Sequence, residues 1–143
     1  MVTSALWAAE DALATLLEAA DLGAAKFTHG TPTKFGRDNV WIDGEVEEWQ
    51  AEWQVSGLGA KDETFGLKVV VLCARAALDY VTPRNAVRDL AVLVEDAIAA
   101  DHTLGGTVEL AATGTYRKEE ALLDDQTRAV KLTLTVRCRA WAT

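Results

Sequence analysis

The chain has 143 residues, half of them apolar and a quarter charged, which predicts one globular domain with a substantial core. Its 22 acids against 14 bases leave a formal net charge of -8. That balance excludes a basic module that grips nucleic acid and disfavours docking on an anionic membrane.

Residues 4 to 21 predict a helix, because Leu6, Ala9, Leu13, Leu16, Leu17 and Ala20 fall on one apolar stripe. Ser4 is the expected N-cap and Gly23 the expected stop. Residues 24 to 39 (AAKFTHGTPTKFGRDN) read as an irregular, locally basic connection with Lys26, Lys34 and Arg37, pinned to the body by Phe27 and Phe35. Residues 40 to 55 (VWIDGEVEEWQAEWQV) read as a strand, although Ile42, Val46, Trp49 and Trp53 also suit a helical spacing. The apolar parity switches around Glu47 to Trp49, which predicts a bulge or break there.

SGLGAKDE (56 to 63) predicts a turn or flexible loop, and TFGLKVVVLCARA the strongest strand, with Phe65, Leu67, Val69, Val71 and Cys73 on one face. Thr82-Pro83 opens a second helix whose stripe is Val87, Leu90, Ala91, Val94, Ala97 and Ile98, ending at Gly105-Gly106. TVELAA (107 to 112) predicts a short strand. GTYRKEEALLDDQTR (114 to 128) reads as a charged, projecting segment, and VKLTLTVRCRAW as a half-buried antiparallel strand. The order predicts a single α+β domain over residues 1–143: an antiparallel sheet of about four strands with two main helices packed on one face.

Chemistry is sparse. Cys73 and Cys138 form no C-x-x-C and no cluster with histidine, so no zinc site is expected. Free thiols in a reducing cytoplasm are the expectation, with a disulfide across neighbouring strands as the alternative. The start MVTSALWAAED lacks the basic region and apolar run of a signal peptide, and no stretch nears the roughly 20 apolar residues of a membrane span. His102 at a helix C-terminus suits the helix dipole, and His29 reads as a solvated loop residue. No catalytic, cofactor-binding or metal residues are assigned. Glu45 and Glu47 as an acid–base pair would require a pocket; a solvated strand face is the simpler reading.

The aromatic residues carry more information. Trp41, Trp49 and Trp53 share one strand parity with Glu45 and Glu47 between them. If all three indoles pointed inward the carboxylates would be buried with them, and if all pointed outward a large apolar patch would lie bare. A protein interface with an acidic rim resolves the conflict; a bulge that divides the residues between core and solvent resolves it too. Arg117, Lys118, Arg137 and Arg139 are the basic candidates for a second contact surface.

The layout resembles the small tail terminator proteins of long-tailed bacteriophages. An N-terminal helix is followed by V-W-I-D-G-E-V-E, then G-L-G-A-K-D-E-T-F leads into F-G-L-K-V-V-V. A helix then ends in A-A-D-H-T-L-G-G-T-V, and an alternating strand closes the chain. The resemblance implies a virion protein of the head-proximal tail end, assembled in the host cytoplasm, with no enzymatic activity and no cofactor. It implies a homo-oligomer, usually a hexameric ring, that caps the tail tube protein and offers a surface to a head-completion or connector protein. Six copies at -8 would carry about -48, so DNA would pass through the lumen without specific binding. No membrane contact is implied. A head–tail connector or tail completion protein is the alternative, and a small α+β enzyme or ligand-binding domain the second.

Overall fold

The computed structural model of the chain describes residues 4–53, 61–76 and 79–142. In chain order these form α1 (Leu6–Ala19), β1 (Lys26–His29), β2 (Asp38–Trp53), β3 (Lys61–Arg75), α2 (Val81–Ala100), β4 (Leu110–Leu122) and β5 (Arg128–Ala142). The fold is α+β. The sheet has five strands in the order β1-β2-β3-β5-β4, not four, and it is mixed, since β1 runs parallel to β2 while the other neighbours are antiparallel. The additional strand lies in the segment read as irregular. Gly30, with φ of 92°, ends it by donating its N–H to the Ile42 carbonyl. Phe27 packs against the core, and Phe35 meets the Trp41 ring edge-on at 5.6 Å, so both aromatics pin the connection as expected.

β3 and β5 pair without interruption from Lys61↔Ala142 to Arg75↔Arg128. Their alternation places Phe65, Leu67, Val69, Val71 and Cys73 beside Val130, Leu134, Val136 and Cys138 on one face, where all are buried. The apolar stripes of both helices (Leu6, Leu13 and Leu17 from α1, Val87, Leu90, Val94 and Ile98 from α2) join the same core. Cys73 opposes Val130 and Cys138 opposes Phe65, which sets the two cysteines eight residues apart along the ladder, roughly 26 Å. That separation excludes the disulfide; both thiols are free, and burial pushes each up to about 12.

The strands that flank this spine slip against it. Between Ile42↔Val69 and Val46↔Leu67, four residues of β2 span two of β3, which preserves the facing of β2. Between Glu47↔Gly66 and Gln50↔Thr64, three span two, and one extra residue reverses the facing of all that follow. The predicted break near Glu47 is this second slip. In β4 one extra residue between Thr113↔Val136 and Tyr116↔Leu134 does the same at Gly114. That bulge hides a single thirteen-residue strand behind what reads as a short strand plus a projecting segment. From Thr115 to Leu122 every residue of β4 is exposed, so this half is an open sheet border.

Capping differs slightly from expectation. Ser4 Oγ accepts the Leu6 N–H at 3.1 Å, one residue before the geometric cap. At α2, which begins at Val81, the Asp79 carboxylate, one residue before the geometric cap, accepts the Thr82 N–H at 2.8 Å and the Thr82 hydroxyl. No helix among the described residues is long and apolar enough to cross a membrane.

Gly66 shows how tight the second slip is. A Cβ there would lie 2.7 Å from Thr135 Cγ2 and 3.3 Å from the Glu47 carbonyl oxygen, within the sheet at the last pair before the slip. Gly66→Ala is expected to cost about 1–3 kcal/mol in urea unfolding through overpacking, and Thr135→Ser in the same chain should recover part of the loss by removing the clashing methyl.

Candidate functional site

The slips in β2 separate Trp41 from Trp49, which alternation alone would align. Before them, Trp41 opposes Val70 on the face away from the helices and is buried there under Phe35. After them, Trp49 stands on the helix side, half exposed, beside the N-terminus of α1. The reading of one continuous tryptophan face is therefore corrected: one added residue changes parity and divides core from solvent. The Trp53 side chain, like those of Glu48 and Trp141, lies outside the described residues, as does the greater part of the 56–63 turn; Lys61 to Glu63 already belong to β3.

At the end of β2 a corner forms that sequence reading missed. Glu63, only 1% exposed, accepts hydrogen bonds from the Ser4 hydroxyl at 2.5 Å, the Ala5 N–H at 2.8 Å and Trp49 Nε1–H at 2.9 Å, among the described residues. A carboxylate at the first turn of a helix satisfies an orphan N–H and meets the positive end of the helix dipole. It also orients the indole, whose ring then receives Trp7 edge-on at 5.8 Å and 86°. Trp7 is 57% exposed and Trp49 47%, so two large aromatic rings lie side by side in solvent. The signals were present: Trp7 falls off the apolar stripe of α1, and Glu63 continues the inward parity of Phe65 and Leu67.

The remaining predicted residues are dispersed. Glu45 is exposed and pairs with Lys68 Nζ at 3.6 Å, while Glu47 accepts the Thr135 hydroxyl at 2.9 Å, so the two carboxylates are engaged separately on the sheet. Arg139 holds Asp62 of β3 through Nε and Nη2 at 3.3 and 3.2 Å, a diagonal ion pair across the ladder. Arg137 Nη2 donates to Thr115 Oγ1 at 3.1 Å. Arg117 pairs with Glu119 at 2.9 Å on the β4 border, and Lys118 points to the helix side, donating to the Tyr80 hydroxyl and lying 5.0 Å from its ring centroid. His29 is a β1 residue whose Nε2 contacts Glu10 at 3.3 Å, with Asp11 close by; all three are at least partly exposed.

No protein-family model matches the sequence, and no curated protein matches it. Among solved structures, the fold is similar to a chain in the virion of a native gene transfer agent (GTA) particle, with a TM-score of 0.50 and 12% identity, over 90% of this chain and 84% of that one. At that identity what is shared is the fold.

The Glu63 cluster makes a measurable demand on stability. Glu63→Gln replaces one acceptor oxygen by a donor facing other donors and should lower unfolding stability by about 1–3 kcal/mol. The same variant should red-shift tryptophan emission less than unfolding does, since Trp49 loses its anchor but not its strand.

Proposed function

We propose that this chain is a structural virion protein of a phage-like particle, and specifically a tail terminator: a ring that caps the head-proximal end of the tail tube, stops its growth and presents a surface for head joining. The observation that carries the reading is the shared fold along nine-tenths of the chain with a protein of a phage-like virion, on a sequence whose element order resembles tail terminators.

The geometry supports an assembly role. Bare paired indoles are costly to hydrate, and tryptophan concentrates at the centres of protein interfaces. Trp7 and Trp49 are held in fixed geometry by Glu63, so little side-chain entropy remains to be lost on docking. A ring needs two unlike patches per subunit, and the exposed half of β4 lies at the sheet border farthest in order from β2. In this reading no catalysis and no cofactor are involved, and DNA passes a net-acidic ring without being held. A head–tail connector or tail completion protein would use the same surfaces and differs in location: on the filled head instead of the tail tube.

Purified protein mixed with growing tail tubes is expected to bind one tube end, fix tube length and appear by light scattering as a species several times 15.4 kDa. A protein that leaves tube length unchanged and labels filled heads instead favours the connector. Trp7→Ala should change unfolding stability by less than about 1.5 kcal/mol, the scale of one aromatic pair, yet weaken assembly or tube binding by about 30-fold or more, as loss of an interface anchor does.

A further inference from the structure

A groove runs between α2 and the β4–β5 ladder. Its floor is apolar, from Val87, Ala91, Val130 and Leu132, and its volume is about 240 Å³, the scale of one or two side chains rather than of a cofactor. Its rim is basic: Arg84 and Arg88 from one turn of α2, and Lys118 from β4, with Glu95 at the far end. Arg88 pairs with the neighbouring Asp89 at 3.1 Å. Arg84 donates to Asn85 and Lys118 to Tyr80; neither meets a carboxylate among the described residues. An apolar trough edged by unspent positive charge fits a segment that joins apolar and acidic residues.

The chain itself presents such a segment. The connection from β4 to β5 reads Leu122-Leu123-Asp124-Asp125, with the two leucines 61% and 59% exposed. Its shape is set: the Leu123 N–H donates to the Thr127 carbonyl at 2.9 Å, and Asp124 accepts the Gln126 N–H at 2.8 Å, a bond that lowers the Asp124 pKa and keeps it charged. The tip cannot fill the groove beside it. β4 and β5 pair residue by residue from Tyr116 to Leu122, so the tip is held four residues beyond Lys118 on a rigid ribbon.

We propose that the β4–β5 hairpin tip of one copy docks in the α2–β4 groove of the next. Leu122 and Leu123 cover the Val87, Ala91 and Leu132 floor, and Asp124 and Asp125 meet Arg84, Arg88 and Lys118. Tip and groove are different patches on the same chain, so the contact is heterologous and repeats around a ring until rotation closes it. The inference rests on the ring-forming reading and names one of its interfaces.

The test is charge reversal read by light scattering, with circular dichroism as the check on folding. Asp124→Lys with Asp125→Lys should abolish the high-mass species, and so should Arg84→Glu with Arg88→Glu. Combining all four substitutions in one chain, or mixing the two variants, should restore it, because the reversed tip again faces an opposite rim. Leu123→Ser gives the same loss without any change of charge. High-mass species that persist in both reversed variants overturn the docking while leaving ring assembly standing. Loss without recovery in the four-fold variant overturns it as well. A groove variant that assembles normally but no longer binds tail tubes assigns the groove to the tube protein and overturns it too. A wild-type chain that stays monomeric at every concentration and on tail tubes overturns both the docking and the reading beneath it.

Discussion

The uninterrupted ladder between β3 and β5 is the constraint from which the rest of the molecule takes its bearings. Fifteen consecutive pairs hold both strands in one register, with one face apolar from Phe65 to Cys73 and from Val130 to Cys138. Each neighbouring strand accommodates to that ruler by adding residues. β2 adds a pair and then a single residue, and β4 adds a single one at Gly114. Because side-chain facing has a period of two, an added pair leaves the pattern intact and an added single residue inverts it. The inversion in β2 sends Trp41 to one face and Trp49 to the other. The inversion in β4 turns Lys118 toward Tyr80 and α2.

This explains which parts of the fold were legible in the sequence. The β3 and β5 strands and both helices have clean periods, because each buries one face against one partner along its full length. Phe65 to Val69 and Val130 to Cys138 alternate, Val69 to Cys73 is an apolar run, and the stripe from Val87 to Ile98 keeps helical spacing. β1 was hidden because four residues, KFTH, give too few alternations to stand out between glycines and a proline. β4 was cut in two because Gly114 breaks its parity and its second half has no buried face to write a pattern. The parallel pairing of β1 with β2 leaves no local signature at all, since it depends on a connection that folds back over Trp41.

The candidate site follows the same logic. A break in β2 was visible near Glu47, yet where each indole ends up depends on how many residues the break contains, and a single strand cannot count against a partner it does not reveal. Glu63 was masked by its place after a glycine-rich stretch, where a charged residue reads as turn. Its role comes from a contact with Ser4 and Ala5, some 58 positions away in sequence. Of the basic candidates, Arg139 is engaged by Asp62 and Arg117 by Glu119, whereas Lys118, with Arg84 of α2, meets no carboxylate among the described residues.

The bond from Ser4 to Glu63 and the pairing of Lys61 with Ala142 bring the two extremities of the described chain to one corner of the molecule. That corner is also the one where Glu63 holds the Trp49 ring against Trp7. The β4–β5 turn sits at the opposite end of the ladder, so the two surfaces argued for assembly lie at opposite poles of one subunit, as successive contacts around a ring demand.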